Sequence, residues 1–378
     1  MKKIFLFAAT AALVLFTGCA KHEDFTPVND TAKAIGFTNY APRSITKAGS
    51  TLVNSGALPS GSTIGVFGYS TATANFPSTT TAPNPAVTPT FMTNLPVAYS
   101  STTSATATET NPVRYWPKTI TNLLSFFAYY PYNSTAITSK PDANTNALGA
   151  FDFTQTGDVT TMVDFMISDV ANDYYYESGS ATNSNGQKTT TGTVPLTLHH
   201  MLSKVNFKFA KGSGLGNDVE IKVTSATIAG VLATGSITPQ YTASETPGQA
   251  GSTAFANTWA TANTAYASAV SIPIASEDGN YLILSETAAL NSNSASANNF
   301  LFVPQSLGNA VIVTINYDLT QNNVVTHNTS TVQLNTGTTT AWNRNANIVY
   351  TFTIGLQPIK FTATVTGWDN ETSGGFNI

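Results

Sequence analysis

The sequence predicts an all-β protein made of two antiparallel β-sandwich domains in tandem. In several segments apolar residues alternate with polar ones, which is the period of half-buried antiparallel strands. No long window shows the 3.6-residue period of an amphipathic helix, and charged residues, which include good helix formers, make up only 10% of the chain. Many short strands separated by long polar loops favour a sandwich.

The N-terminal half supplies three features of this prediction. A first strand is expected over residues 34–41, where Ile35 and Phe37 lie on one side of a short extended segment. Apart from an apolar patch at Phe91-Met92 and Leu95-Pro96-Val97, residues 71–112 are almost entirely Thr, Ala, Ser, Pro and Asn, which predicts a long exposed insertion or a pair of loops. Residues 123–132 are apolar on both faces, which predicts a central strand covered on both sides.

The C-terminal half begins after a second polar segment. Residues 172–192 predict a loop, and we place a domain boundary near residue 195. This gives an N-terminal domain over residues 34–195 and a C-terminal domain over residues 196–378. The clearest alternation is in the last strand, where four residues share one side opposite lysine and threonines: Ile359, Phe361, Ala363 and Val365.

Residues 1–18 have the pattern of a secretory signal. A basic start is followed by an apolar run over residues 4–16 and by the small pair Thr17-Gly18. The run is shorter than the about twenty residues that a helix needs to cross a bilayer. We therefore expect export and removal of the signal.

Cys19, the only cysteine in the chain, directly follows this small pair. The arrangement resembles the lipobox of bacterial lipoproteins, in which the thiol receives a diacylglyceryl group and becomes the first residue of the mature chain. Phe16 stands where a leucine is usual. Several acyl chains give a stable membrane anchor, and residues 19–33 predict a polar tether. The alternative is a lone cysteine in a discarded signal.

Composition excludes several classes of function. The formal net charge is −4, and the only arginines are Arg43, Arg114 and Arg344, so the chain lacks the basic face that nucleic acid requires. With one cysteine, neither an internal disulfide nor a thiolate metal site can stabilise the fold. No nucleotide-binding, zinc-protease or serine-hydrolase motif occurs. We therefore predict no enzymatic activity and no cofactor.

His199 and His200 are the nearest approach to a metal site in the sequence. Adjacent side chains of a strand point to opposite faces, so the two imidazoles cannot share one ion, and both are interpreted as core or interface residues. A group of acidic residues lacks the alternating ligands and fixed glycine of a calcium loop. These residues are Asp164, Asp169, Asp173 and Glu177. We predict no metal site.

Several separated segments share their order and spacing with one known family. They are the lipobox at Cys19 and the blocks AIGFTNYAPRSITKA, RYWPKTITNLLSFFAYYP, DFMIS, VPLTLHHMLSKVNFKF, NIVYTFTIG and IKFTATVTGW. Together they resemble the fimbrillin-like proteins of Bacteroidales type V pili over nearly the whole chain. The resemblance implies two transthyretin-like sandwich domains, export as an outer-membrane lipoprotein, and cleavage after an N-terminal arginine by an outer-membrane protease.

Carried over to this chain, the resemblance places the lipid on Cys19 and the cut between Arg43 and Ser44. The cut would release the first strand and leave an apolar groove with an unpaired edge. A neighbouring subunit would fill the groove by β-augmentation, with the strand over residues 359–365 or the tail over residues 374–378 as donor. Such head-to-tail contacts give an open filament. The implied partners are therefore other pilin subunits.

The sequence leaves two alternatives from other classes. One is a surface lipoprotein that does not polymerise and binds glycans or host ligands, because the rings of Tyr174, Tyr175 and Tyr176 could stack on sugars. The other is a hydrolase, which needs an acidic pair in a cleft. Shaft, anchor, accessory and tip subunits share the lipobox and the two-domain plan, so the position of the chain in a filament also stays open.

Overall fold

The computed structural model describes residues 33–40, 58, 61–72, 89–99, 108–141, 150–238, 259–260, 263–274, 281–290, 299–335, 339–355 and 359–368. The signal, Cys19, Arg43 and Ser44 lie outside these residues. In the described parts of the chain no helix is long and apolar enough to cross a membrane.

The described residues form 24 strands and one 3₁₀ turn at Val159–Thr161. The strands are β1 (Gly36–Tyr40), β2 (Thr63–Ala72), β3 (Met92–Ala98), β4 (Thr108–Glu109), β5 (Leu123–Tyr130), β6 (Ile137–Ser139), β7 (Phe151–Thr154), β8 (Met166–Ser168), β9 (Ala171–Tyr176), β10 (Gln187–Thr189), β11 (Thr193–His200), β12 (Ser203–Lys211), β13 (Val219–Ala229), β14 (Thr234–Ile237), β15 (Val270–Ile272), β16 (Leu282–Ile283), β17 (Ala289–Leu290), β18 (Phe300–Phe302), β19 (Gln305–Ser306), β20 (Ile312–Gln321), β21 (Val324–Gln333), β22 (Ala341–Trp342), β23 (Ala346–Ile354) and β24 (Lys360–Gly367). The predicted all-β class is confirmed.

The N-terminal half forms a nine-stranded sheet around β5. Its main order is β10-β9-β5-β8-β11-β1-β4, with β2 beside β5 and β3 beside β2. All eight residues of β5 are buried, which confirms the prediction of a strand covered on both faces. On one face Phe127 stacks on Phe67 at 4.9 Å, and on the other Phe126 meets Phe37 edge-on at 5.2 Å.

The C-terminal half contains two five-stranded sheets. One has the order β17-β12-β23-β24 with β18 beside β12, and the other has the order β15-β13-β20-β21 with β16 beside β13. Phe207 and Phe352 of the first sheet and Ile221 and Ile315 of the second are fully buried in one apolar cluster. The alternating residues of both sheets thus share a core, as the sandwich-like packing of two layers requires.

Most strand pairs are antiparallel, as predicted, but parallel pairs occur between β1 and β11, β9 and β10, and β12 and β23. The period of two that predicts a strand is the same for both directions. Sequence periodicity therefore could not identify the parallel pairs, although one of them holds the N-terminal strand.

The sheets change between β11 and β12, close to the predicted domain boundary at residue 195. A three-stranded sheet of β14, β7 and β6 nevertheless takes strands from both sides of that boundary. One apolar cluster also includes both Phe67 and Trp368. Because the described residues from Lys33 onward belong to one compact unit, the division into two domains stays a prediction.

Two segments that predict loops contain strands in the structure. Within residues 71–112, the strand β3 pairs with β2 and buries Met92 and Val97. Within residues 172–192, most of β9 pairs along β5 and buries Tyr175. Both strands lie within segments that are rich in polar residues, and their neighbours in the sheet stabilise them, which is the tertiary context that strand propensity omits.

Buried tyrosines predict a loss of stability at high pH. Burial raises the pKa of Tyr129 and of Tyr350 to about 12, and it also raises the pKa of Tyr69. Above pH ~10 the unfolded chain releases these protons while the folded chain keeps them. The free energy of unfolding is therefore expected to fall as the pH rises from about 10 to 12, and to be unaffected by these groups below about pH 9.

Urea unfolding across this pH range checks the expectation. In Tyr69→Phe, the decline should be shallower by about 1.4 kcal/mol per pH unit, because one group no longer binds its proton preferentially in the folded state. Tyr69 is fully buried, and the change removes only its hydroxyl group. Equal slopes for the two proteins above pH ~10 would contradict the prediction.

Candidate functional site

The N-terminal strand β1 is paired on both edges. It pairs in parallel with β11 over five residues, from Gly36 opposite Thr193 to Tyr40 opposite Thr197. On its other edge it pairs with β4 in the antiparallel direction. Segments from much later in the chain therefore occupy both sides of β1, and the strand fills a slot in the large sheet.

The side chains of Ile35 and Phe37 are fully buried in this slot. They lie two residues apart, which confirms that this side of the strand faces a core. The Phe37 ring meets Phe126 edge-on at 5.2 Å, and Trp116 approaches the same Phe126 ring at 6.0 Å. Full burial of side chains of this size contributes roughly 1.5–3 kcal/mol each.

Backbone hydrogen bonds fix the start of β1. The Ile35 N–H donates to the Arg114 carbonyl at 2.8 Å, and the Gly36 N–H donates to the Gly192 carbonyl at 3.1 Å. Gly192 has a φ of +78°, and a Cβ atom there would lie 2.6 Å from the Lys33 side chain. Glycine at position 192 thus permits both the turn and the close approach of the N-terminal segment.

The far end of β11 carries the adjacent histidines. His199 Nε2 lies 2.9 Å from Asp169 Oδ1, and His200 Nδ1 lies 2.9 Å from Asp164 Oδ1. The two rings have different carboxylate partners, as expected for adjacent residues of a strand, and both histidines are buried. In the described residues, no group of three or more His, Cys, Asp or Glu side chains is placed to hold a metal ion.

Trp368, directly after β24, packs on the same end of β11. Its ring stacks on His200 with the centroids 3.8 Å apart and the planes at 7°, and Lys204 Nζ lies 5.9 Å from the indole centroid. The backbone N–H of Trp368 donates to the Asn345 carbonyl at 2.8 Å. Trp368 is fully buried. The strand β11 therefore holds the N-terminal strand along one part and the C-terminal Trp368 at its end.

The strand β24 itself is held loosely. It lies at the end of its sheet and pairs only with β23 among the described strands. The side chains of Ile359, Phe361 and Ala363 pack on the core but are only partly buried, and Val365 is 51% exposed. The predicted alternation is thus correct, and burial weakens toward Val365. Trp368 is the buried anchor at the end of this half-exposed segment.

The structure describes only one of the two groups of predicted site residues. Cys19, Arg43 and Ser44 lie outside the described residues, although β1 ends at Tyr40, three positions before Arg43. The donor candidates Ile359, Phe361, Ala363 and Val365 lie in and just before β24, in a different sheet from β1. Sequence reasoning missed Trp368, whose only signal is a tryptophan that directly ends an alternating strand.

The tyrosines at positions 174–176 serve packing. Tyr175 is buried, and its hydroxyl oxygen accepts the Asn183 N–H at 3.0 Å. Tyr174 and Tyr176 are partly buried against the same apolar cluster as Phe37. Burial also raises the pKa of Tyr174. This arrangement favours the interpretation as packing residues over an exposed platform for sugar rings.

Comparison with known proteins identifies one family. A family model described as fimbrillin-like matches residues 46–368. None of the curated proteins matches the chain significantly. The match begins after β1 and ends at Trp368, so it includes β24 but leaves out the N-terminal strand.

The chain is also similar to several solved structures. A fimbrial protein from Bacteroides vulgatus is 18% identical, with a TM-score of 0.55, over 89% of this chain and 99% of the other. A candidate cell adhesion protein from Bacteroides uniformis is 12% identical, with a TM-score of 0.48, over 90% and 99%. A fimbrial assembly protein from Parabacteroides distasonis is 9% identical, with a TM-score of 0.42, over 89% and 98%. Only the first is similar enough to support the fold.

Proposed function

The chain belongs to the fimbrillin-like family, and from this we propose that it is a subunit of a cell-surface pilus. In this proposal it is exported, lipidated at Cys19 and held at the outer membrane, and then cut after Arg43 for assembly by strand replacement. The observation that carries the proposal is β1, which ends three residues before an arginine and has fully buried Phe37 within it and fully buried Ile35 directly before it.

Cleavage between Arg43 and Ser44 converts β1 from part of the chain into a bound peptide. Its pairing with β11 and β4 and the burial of two side chains then hold it without a covalent link. When it leaves with the lipid, Phe126 loses its contact with Phe37, and the facing edges of β11 and β4 lose their partner. Each buried backbone group left unpaired costs about 1–3 kcal/mol. The empty slot is therefore a strong acceptor for an alternating strand.

The strand β24 has the properties that a donor needs. Ile359, Phe361 and Ala363 repeat the two-residue spacing of Ile35 and Phe37, and β24 is an edge strand of its sheet. Addition to the slot is β-augmentation, in which main-chain hydrogen bonds give affinity and alternate side chains enter pockets. The tail over residues 374–378 is the second donor candidate and lies outside the described residues.

Strand replacement between copies gives a head-to-tail contact, in which the donor of one subunit enters the slot of the next. A heterologous contact that does not close generates an open filament. The polymer itself then supports adhesion, and catalysis is not required. This function needs no cofactor and agrees with a chain that is rich in neutral hydroxyl and amide side chains and has only 10% charged residues.

The N-terminus of the protein tests the proposal. We expect mass spectrometry to find chains beginning at Ser44 in filaments sheared from cells, and lipidated Cys19 in the membrane fraction. In the matched variant Arg43→Ala, the chain should keep its lipid and be absent from sheared filaments. Detection of lipidated Cys19 alone, always with the membrane, would exclude a shaft subunit and leave an anchor or a lipoprotein that does not polymerise.

A further inference from the structure

The strand β21 has one edge without a partner among the described strands, and it lies in a different sheet from β1. It pairs with β20 over all ten of its residues without a register shift. The hairpin between them turns at Asn322 and Asn323, both with positive φ, as a tight two-residue turn requires. Among the described strands, β20 is the only partner of β21. One side of a long, regular strand therefore carries backbone groups that face away from the sheet.

The register identifies these outward groups. The Leu334 N–H donates to the Val311 carbonyl at 3.1 Å, in the same register as the β20–β21 pair. Hydrogen-bonded and non-bonded residues alternate in an antiparallel pair, so even-numbered residues of β21 bond to β20. The odd-numbered residues then direct both N–H and C=O outward: Val325, His327, Thr329, Thr331 and Gln333.

This edge lacks the features that keep edge strands apart. Proteins commonly protect an edge with lysine, proline, a bulge or a short strand. The strand β3 has Pro96 and a register shift against β2, and β24 contains Lys360. By contrast, β21 contains no proline and no acidic, lysine or arginine residue, and Val324 is 64% exposed at its start.

We propose that β21 pairs with β21 of a second copy of this chain, antiparallel and around a twofold axis at Asn328. With the axis at Asn328, odd-numbered residues of one copy lie opposite odd-numbered residues of the other. The outward N–H and C=O groups of the two strands therefore face each other and can form hydrogen bonds. The resulting rows are Val324 with Val332, Val325 with Thr331, Thr326 with Ser330, and His327 with Thr329.

The chemistry of these rows favours a second copy as the partner. The exposed Val324 meets Val332, an apolar residue that is buried in its own copy, Thr326 meets Ser330, and no like charges face each other across the axis. His327, whose Nδ1 lies 2.6 Å from Asp318 Oδ1, opposes a neutral threonine. The pairing continues the sheet from one copy into the next and leaves the β1 slot untouched.

A single strand pair is a small interface. Specific interfaces usually bury at least about 1,200 Å², so isolated chains are expected to associate weakly through β21. Copies arrayed along a filament would add their contacts, because linked sites bind with a high effective concentration. Only this step, the side-by-side association of filaments, relies on the proposed function.

Single-cysteine variants test the register directly. In chains that start at residue 19, carry Cys19→Ser and retain β1, Asn328→Cys places two thiols opposite each other across the axis. Non-bonded pairs have Cα atoms about 4.5 Å apart, within the range of a disulfide. With oxidised glutathione as the oxidant, two thiols become one disulfide and two molecules of reduced glutathione form. We expect a disulfide-linked dimer.

His327→Cys is the matched control. Its position opposes residue 329 of the second copy, and the native side chain is 83% exposed, more than that of Asn328. If disulfides formed only in random collisions, the more exposed cysteine at position 327 would form the dimer faster. In the proposed register the two thiols at position 328 are held close together at a high effective concentration, so the dimer should form roughly tenfold faster from Asn328→Cys. Equal rates, or a faster reaction at position 327, would overturn the proposal.

A charge on the edge gives a second test. Thr329→Lys in the Asn328→Cys chain should abolish the dimer, because lysine protects edge strands. Thr320→Lys on the neighbouring strand β20 adds the same charge away from the edge and should leave the dimer unchanged. Loss of the dimer in both variants would overturn the proposal. Because β1 is retained, the result does not depend on cleavage or head-to-tail assembly.

Discussion

A chain that begins at Ser44, and so lacks β1, is expected to be the least stable form of the monomer and to polymerise. Removal of β1 exposes the surfaces that bury Ile35 and Phe37, at a cost of roughly 3–6 kcal/mol for two side chains of this size. The backbone groups of β11 and β4 that pair with β1 also lose their partner. A loss of this size is comparable to the stability of many domains, about 5–15 kcal/mol.

A peptide of residues 33–40 provides the measurement. Added to the Ser44 chain, it should raise the urea midpoint and slow polymerisation, because it occupies the slot between β11 and β4. The matched peptide with Phe37→Asp keeps the backbone but places a charge beside Phe126, and should do neither. Equal effects of the two peptides, or a Ser44 chain as stable as the full-length chain, would contradict the role of β1.

Local pattern was enough to predict the elements that depend only on their own residues. LLSFFAYY is apolar at every position except Ser125, and β5 is buried at every position. Ile35 and Phe37 are separated by one residue, and both are buried on the same side. In β24 the alternation is also correct, although Val365 is exposed because the strand lies at a sheet edge. A two-residue period determines sides, but it does not determine how much of each side is covered.

The features that define the site required the folded chain. Nothing in GFTNY indicates that it pairs in parallel with β11, because strand direction leaves no mark on a two-residue period. The same period places Trp368 on the polar side of its strand with Lys360, but the strand ends at Gly367 and the indole turns inward onto His200. The strand β3 lies in a segment that is otherwise Thr, Ala, Ser, Pro and Asn, and only its pairing with β2 shows that the apolar patch there is a strand.

The Trp368 side chain anchors the C-terminal strand. After the removal of β1, Trp368→Ala is therefore expected to cause the next largest loss of stability. It removes a fully buried indole that stacks on His200 at 3.8 Å. Replacement of a buried tryptophan by alanine typically costs about 3–5 kcal/mol. Hydrogen exchange should rise first in β24, because Phe361 is only partly buried and the strand has one partner among the described strands.

Trp368→Phe is the matched control for this change. It keeps an aromatic ring on His200 and removes the indole N–H, which has no hydrogen-bond acceptor among the described residues. The loss of stability should therefore be much smaller than in Trp368→Ala. Similar losses in both variants would show that ring stacking is not the main contribution of Trp368.

The effect of Trp368→Ala on assembly separates the two donor candidates. If β24 is the donor, Trp368 must leave His200 before Ile359 and Phe361 can enter the slot of another subunit, so the contact opposes assembly. Polymerisation of the Ser44 chain should then be faster in Trp368→Ala, as light scattering would measure. A slower reaction would mean that β24 stays in place and that the donor lies beyond Trp368. In that case Trp368 holds the start of the tail in position for the neighbouring subunit, and its loss makes the entry of the tail less efficient.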